Sequence, residues 1–333
     1  MSVVEGAIEG SRRLGVLRFE QLQRALSRFG YGEFISAEPI PHGLFGQNVF
    51  VTSTTGRYVL RGLGHSDWQF HKERYFCEEI RTQTQVPVPH PYRIDESSDI
   101  FGWPYVLMPR MPGVFIHEEN YIKTLTLEDR ASIAAAMGET LAELHRCRFP
   151  HCGEYDPLRN VVAPLDQPFS AWIQYHLGRT LENCAKLPDF SPAADLEWLR
   201  REIKALAPAL DVPFEPSAVM NDFKEGNANH EKVDGRWRVS GLFDLMEFYA
   251  GDGEADLSRL GSAYLDLDKK VFRAFLDAYL ERRPARPQFK ERFKLYMIAD
   301  RLTIWDYGIR NGWFQAGAKM REWFEKYTGA SLR

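Results

Sequence analysis

The sequence predicts an α+β protein of two lobes, a small β-rich one followed by a large, mostly helical one. Three observations carry this. Short segments rich in β-branched and aromatic residues fill the stretch from residue 33 to 108, and the proline- and glycine-bearing "PRMPG" follows them. Beyond Gly113 apolar residues recur at helical spacing, with one β-like island. A chain of 333 residues is long enough for two lobes. The expected division is 1–108 for the first lobe, 109–113 for a hinge and 114–333 for the second.

The elements follow in order. Residues 17–29, "LRFEQLQRALSRF", place Leu17, Leu22, Ala25 and Leu26 near one face of an amphipathic helix. "EFISAEPI", "QNVFVTS" and "GRYVLRG" read as strands broken by Gly, Pro and Thr-Gly turns. A helix is expected at about 69–83, and "VPVPHPYRI" after it is extended, because proline keeps its predecessor out of the helical region. "WPYVLM" is a further strand that runs into the hinge. Thr126-Leu-Glu-Asp129 is a cap-like start for a helix carrying Ile133, Met137, Leu141 and Leu144. Helical patterns recur at about 168–186, 193–207, 254–282 and 288–328. The β-like island at 217–249 contains Asp234-Gly235, a strong hairpin turn.

Composition narrows the functional classes. With 42 Lys and Arg against 46 Asp and Glu the net charge is −4, and no basic run offers a nucleic-acid footprint. No apolar stretch approaches the roughly 20 residues of a membrane span, and "MSVVEGAIEGSRRLG" lacks the apolar core of a secretory signal. The four cysteines have no framework spacing. The expectation is a cytoplasmic protein with reduced thiols, monomeric or homodimeric, binding neither nucleic acid nor membrane. "HRCRFPHC" gathers His145, Cys147, His151 and Cys152, but at spacings unlike the usual zinc pairs.

Several constellations could carry chemistry. In "PHGLFGQNVFVTSTTGRYVLRG", Gly43 and Gly46 would let backbone approach a phosphate, or simply mark a turn. Arg61 shares a strand face with Val59, as a solvated edge residue or as a cation reaching into a cleft. Glu73 adjoins the Phe76, Cys77 and Ile80 stripe of its helix and could pair with Arg61 or stand as a solvated helix carboxylate. In "YVLMPRMPG", Met108 precedes Pro109, which keeps a carbonyl acceptor, and Met111 supplies an N–H; together they suit an adenine edge or an interdomain linker.

The stretch "AVMNDFKEGN" ends an apolar run in Asn221-Asp222. Asp222 and Asn227 lie five apart around Gly226, a spacing that suits a tight loop presenting two oxygen-bearing side chains. Asp244 sits on an apolar "GLFDLM" background, where an ionised carboxylate is costly without a cation or donor. Asn227 and Asp244 together offer the oxygens that Mg²⁺ prefers. Asp222 is then free as base or orienter for a nucleophilic hydroxyl.

In order and spacing, roughly residues 35–315 resemble the aminoglycoside phosphotransferase family of kinase-like enzymes. Asp222 and Asn227 keep the Asp-x4-Asn core of its catalytic loop, and Asp244 with "GDGEADL" after it looks like its metal aspartate. "YVLR" at Tyr58–Arg61, Glu73 with Val86–Pro89, the hinge and Leu141–His145 match its other landmarks, and residues 58–89 and 222–244 look especially like the hygromycin phosphotransferase branch. The resemblance implies a protein-kinase-like two-lobe fold and ATP, with GTP as an alternative, together with Mg²⁺. Arg61 oriented by Glu73 would hold the α/β phosphates. Asn227 and Asp244 would hold the metal, with Glu247 as a possible helper.

Two departures stand out: Met220 and Asn221 replace the family's His and Gly, and Lys224 replaces its second His, as in protein kinases. Lys224 can reach the transferring phosphoryl group. C-terminal helices of the family help wall the substrate site, which singles out Asp300, Trp305 and Asp306, or else a packed terminal helix. The function implied is transfer of the γ-phosphoryl group to a hydroxyl of a small molecule, an aminoglycoside-type antibiotic or similar, as in antibiotic resistance. The rivals are a metabolic kinase for choline, an amino alcohol, a sugar or homoserine, and a non-catalytic nucleotide-binding pseudokinase.

Overall fold

A computed structural model describes residues 6–9, 13–40 and 48–329. Strands β1 (Ala7–Glu9) and β2 (Val16–Arg18) form a ribbon ahead of helix α1 (Phe19–Arg28), whose buried face is Leu22, Ala25 and Leu26. Then come β3 (Phe34–Pro39), β4 (Asn48–Ser53), β5 (Gly56–Gly62), helix α2 (Gln69–Gln83), β6 (Arg93–Asp95) and β7 (Tyr105–Pro109). These strands make an antiparallel five-stranded sheet in the order β3-β4-β5-β7-β6. Alternation along β4 buries Val49, Val51 and Ser53, and a core of Leu22, Val49, Leu60 and Tyr105 fills the space between α1 and the sheet.

The second lobe begins with α3 (Glu119–Ile122) and α4 (Leu127–Leu144). Thr126 opens α4 with a capping box: its Oγ1 accepts from Asp129 N at 3.1 Å, and Asp129 Oδ2 accepts from Thr126 N at 3.3 Å. Next are β8 (Gly153–Asp156), β9 (Val161–Pro164), α5 (Phe169–Ala185), α6 (Ala193–Leu206) and β10 (Ser217–Val219). The hairpin β11 (Ala228–Val233) and β12 (Arg236–Leu242) turns at Asp234-Gly235, both with positive φ (49° and 79°), as a two-residue type I′ turn requires. After β13 (Tyr249–Gly251) come α7 (Leu257–Leu267), α8 (Lys269–Arg282), α9 (Phe289–Arg310) and α10 (Met320–Thr328). A small sheet of order β10-β13-β8-β9 brings Ser217–Val219 and Tyr249–Gly251 side by side.

The layout is a small antiparallel-sheet lobe followed by a helical lobe, as expected, with local corrections. The pattern at 254–282 is two helices, because Asp268 leaves the helical region (φ −166°, ψ 141°) and its carboxylate caps Lys270 N at 2.6 Å. The pattern at 288–328 also divides, at a loop where Gly312 and Gly317 have positive φ. The short pairs β1–β2 and β8–β9 were not expected. No helix among the described residues is long and apolar enough to cross a membrane.

Two cores organise the second lobe. One joins α2, α4, α7 and α8 around Phe76, Met137, Met220, Phe223 and Phe275, so α2 of the first lobe is packed into it. The other joins α5, α6, α9 and α10 around Leu199, Trp305 and Phe324. At the α4–α8 crossing a Cβ on Gly138 would stand 2.2 Å from Phe275 O and 3.1 Å from Tyr279 N. Gly138→Ala is therefore expected to lower the unfolding free energy by about 1–3 kcal/mol through overpacking, despite alanine's better helix propensity. A urea midpoint that rose instead would show that the crossing can separate without loss.

Candidate active site

The stretch 217–227 begins as the fully buried β10 and leaves the sheet at Met220. Two successive amides, Met220 N and Asn221 N, donate to Asp256 Oδ2 and Oδ1, both at 2.7 Å. Asp256 is itself buried, and His145 Nε2 lies 3.3 Å from its Oδ2 while His145 Nδ1 lies 3.0 Å from Tyr279 OH. This arrangement puts the His145 proton on Nε2, with Nδ1 accepting from the tyrosine. Burial, the largest influence, holds the His145 pKa below its ordinary value although Asp256 opposes it, so the ring is neutral. Asn221 has φ +64°, a left-handed conformation that asparagine tolerates better than most residues other than glycine. The Met220 side chain is wholly buried in the main core, and Phe223 beside it likewise.

That anchoring turns three polar side chains together. Lys224 Nζ donates to Asp222 Oδ2 at 2.5 Å. Asn227 Nδ2 donates to Asp222 O at 3.0 Å and Asp222 Oδ2 at 3.1 Å. The amide orientation turns Asn227 Oδ1 away from Asp222, leaving it as an acceptor for another group. Phe243 N donates to Asn227 O at 3.0 Å, holding the Asp244 segment alongside this loop.

From the first lobe comes Arg61, nearly buried on β5. Its Nη1 donates to Glu73 Oε2 at 2.9 Å and its Nη2 to Asp244 Oδ1 at 3.0 Å. Glu73 also accepts from Gln69 Nε2 and Tyr92 OH, each at 2.8 Å. Burial works against the Arg61 charge, but Glu73 and then Asp244 hold its pKa above the ordinary arginine value. Asp244 has φ +67° and is partly exposed; one carboxylate oxygen meets Arg61, while its second oxygen is not engaged there. Asn227 Oδ1 and Asp244 Oδ2 are thus two oxygen atoms of the hard type that could hold Mg²⁺.

The segment 111–114 is clamped to the β11–β12 hairpin. Met108 faces Val59 and Pro109 faces Tyr58 across the β5–β7 ladder. Met111 O accepts from Asn229 Nδ2 at 3.0 Å, Pro112 O from Ser240 Oγ at 2.8 Å, and Val114 N donates to His230 O at 2.7 Å. Gly113 (φ +88°) has no room for a Cβ, which would lie 2.2 Å from Ser240 Oγ and 2.5 Å from His230 O.

Other expected site residues fall elsewhere. Gly43 and Gly46 lie outside the described residues. Glu247 is exposed, and its charge acts on Lys72 of α2, whose pKa burial lowers. Asp300 has an almost covered side chain held between two arginines: Arg301 donates to Oδ2 at 2.8 and 2.5 Å, and Arg259 Nε lies 2.6 Å from Oδ1 at an angle too bent for a hydrogen bond. Arg259 Nη1 in turn lies 3.8 Å from Asp222 Oδ1, so Asp300 stands behind Asp222 through one guanidinium. Asp306 pairs with Arg310 at 2.9 Å along α9. Trp305 corrects the expectation of a substrate wall. It is fully buried against Phe314 and Trp323 and donates Nε1–H to Ser191 Oγ at 3.1 Å. Its large apolar surface is worth more inside the second core than at a wet pocket.

Sequence reasoning did not single out Asp256 or Arg259, although "GDGEADLSRL" places both on one helical turn after the aspartate-bearing loop. It also passed over Glu225, whose buried carboxylate accepts from Tyr264 OH at 2.5 Å and faces His117 at 3.3 Å. Nearby His230 is buried on β11 with both ring nitrogens lacking a partner among the described residues. Burial pushes its pKa down to about 4, with Glu225 opposing and His117 assisting. A folded pKa below the unfolded value means that the unfolded chain binds the extra proton. Stability from this group is therefore complete above about pH 6.5 and declines as pH falls towards 4. In His230→Leu the slope of unfolding free energy over this range should shrink by up to about 1.4 kcal/mol per pH unit. An unchanged slope would mean that His230 is protonated in the native state.

The profile described as the phosphotransferase enzyme family matches residues 36–291, well over half of the chain. Among solved structures, aminoglycoside phosphotransferase APH(4)-Ia superposes with a TM-score of 0.68 at 16% identity, covering 94% of this chain and 99% of that one. Another structure of that enzyme, a thermostable mutant in ternary complex with ADP and hygromycin B, gives 0.67 at 16% identity, covering 94% and 100%. A candidate fructosamine-3-kinase from Haemophilus somnus 129PT gives 0.60 at 17% identity, covering 95% and 98%. No protein among the curated sequences matches the chain. The solved structures establish a shared kinase-like fold, and the match over residues 36–291 establishes the family. The chain belongs to the phosphotransferase enzyme family and is a phosphotransferase.

Proposed function

We propose that the protein transfers the γ-phosphoryl group of ATP to a hydroxyl of a small molecule, with Mg²⁺. GTP is the alternative donor. The observation that supports this most is the junction of two groups: Arg61 and Glu73 of the first lobe with Asp244 of the second, and Asp222 with Lys224 and Asn227 on the adjoining loop. One group carries the cation and carboxylate that meet phosphates; the other carries an ionisable oxygen that meets a hydroxyl. In this reading Arg61, fixed by Glu73, holds phosphate oxygens, and the Pro109 carbonyl and Met111 N–H face the adenine. Asn227 Oδ1 and Asp244 Oδ2 would hold Mg²⁺, which when bound neutralises charge on the phosphates. Asp222 orients the acceptor hydroxyl and takes its proton as the oxygen bonds to the γ-phosphorus and the β–γ bridging bond breaks. Lys224, at hydrogen-bond distance from Asp222, then faces the charge on the moving group.

The acceptor is a hydroxyl-bearing molecule of aminoglycoside type or a metabolite. One observation favours the metabolite. Among the described residues the ion-pair partners of Asp222 are Lys224 and Arg259, and Asp300 behind it already pairs with two arginines. A polycationic acceptor would gain little from such a surface, whereas a neutral or anionic one would be tolerated. The test is a coupled assay of ADP release across aminoglycosides, hygromycin-type compounds, choline, sugars and hydroxy amino acids. Turnover of a metabolite with none of an aminoglycoside supports the second acceptor class, and the reverse supports the first. Magnesium-dependent nucleotide binding with no turnover of any acceptor would indicate a pseudokinase.

A further inference from the structure

A second cleft, of about 570 Å³, opens between the end of α8, the segment Pro213–Glu215 and the turn Asp252–Glu254. No residue assigned above to phosphate, metal or acceptor lines it. Its walls carry Arg148, Arg282, Arg283 and Arg286 against Glu215, Asp252 and Glu254, with Phe214 as an aromatic face.

The carboxylates are already engaged. Asp252 accepts from Arg286 Nη2 on both oxygens at 2.6 Å and from Tyr296 OH at 2.9 Å. Glu254 accepts from Arg286 Nε at 2.9 Å and from Arg292 Nε at 2.7 Å. Glu215 reaches Arg148 at 3.0 Å but is largely exposed, so water screens that pair. Arg282 turns to Glu139 at 3.1 Å. Arg283 is left over: no carboxylate among the described residues stands at ion-pair distance from it, and its Nη1 donates to the backbone oxygen of His145 at 3.2 Å. Arg148 also feels it, since burial and then the positive charge of Arg283 lower the Arg148 pKa. Two guanidinium groups thus face one pocket with their mutual repulsion only partly offset.

We propose that this cleft is a binding site for a small multivalent oxyanion, a phosphate or carboxylate compound gripped between Arg148 and Arg283. Guanidinium forks suit such groups because they donate in pairs, and an anion between like charges removes their repulsion. The chain already bridges this place to the catalytic loop. Arg283 holds His145 O, His145 meets Asp256, and Asp256 carries the amides of Met220 and Asn221. The anion site therefore lies behind the loop, two residues removed from its anchoring carboxylate.

Calorimetric titration of the full chain with pyrophosphate tests this, with saturating ADP present to keep the probe out of the interlobe cleft. The wild type should show one saturable site. Arg283→Gln and Arg148→Gln should each weaken it at least about tenfold, the loss of one or more charge-assisted hydrogen bonds, while Arg201→Gln on the exposed face of α6 leaves it unchanged. Dependence on Arg283 separates this site from the nucleotide cleft even if ADP fails to bind. Absence of saturable binding in the wild type, or less than a tenfold loss in either variant, overturns the proposal. If Arg283→Gln does not fold, Arg148→Gln alone decides.

Discussion

Asp222→Ala is expected to lower kcat by roughly 10²–10⁴-fold while nucleotide affinity stays within about twofold of wild type. The carboxylate sits at the head of a loop whose shape is held from elsewhere, by Asp256 on the backbone and by Phe223 and Met220 in the core. Its removal therefore does not unfold the loop. Lys224 loses its partner but is already substantially exposed, so the cost to stability is under about 1 kcal/mol. Asn227 loses one of two hydrogen bonds and keeps the one to Asp222 O. What disappears is the oxygen proposed to accept the proton of the acceptor hydroxyl. A variant with wild-type kcat on the acceptor found in the panel would remove Asp222 from the chemistry.

Asp256→Ala should be more damaging to the fold. It leaves the buried Met220 N and His145 Nε2–H donors, and the part-buried Asn221 N, without an acceptor. Each buried donor left without a partner costs about 1–3 kcal/mol. Because those amides define where Asp222 points, kcat should fall as well, in contrast to Gly138→Ala, which affects stability alone. Urea unfolding and turnover measured on the same preparation check both halves. A loss below about 1 kcal/mol would mean that the loop finds another anchor.

Much of the architecture was legible in the sequence, and the exceptions share a physical pattern. The pair Arg61–Glu73 was open to reading because strand alternation and helical spacing give each side chain a face, but not whether that face meets solvent or a cleft. The loop from Asp222 to Asn227 could be read because its spacing excludes a regular element. Asp256 was not legible as an anchor, since it binds backbone amides 35 and 36 positions earlier and leaves no side-chain pattern. Arg259 was hidden for a similar reason: the carboxylates it meets, Asp222 and Asp300, lie far from it in the chain. Trp305 misled because an aromatic residue on a terminal helix has the same local pattern whether it faces a pocket or a neighbouring helix. The break at Asp268 was missed because apolar spacing runs on across it, although its capping side chain is a signal that a closer reading could use.

The central claim is that residues of both lobes form one nucleotide and metal site, and the metal dependence of nucleotide binding tests it most directly. Asp244→Asn suits the purpose because asparagine tolerates the left-handed backbone at this position, so the variant should keep its fold. The measurement is calorimetric titration with a non-hydrolysable ATP analogue, with Mg²⁺ and with EDTA, on the wild type and Asp244→Asn. The predicted result is that Mg²⁺ tightens wild-type binding at least about tenfold and that Asp244→Asn abolishes this gain. Equal affinity with and without Mg²⁺ in the wild type, or no nucleotide binding at all, would contradict it.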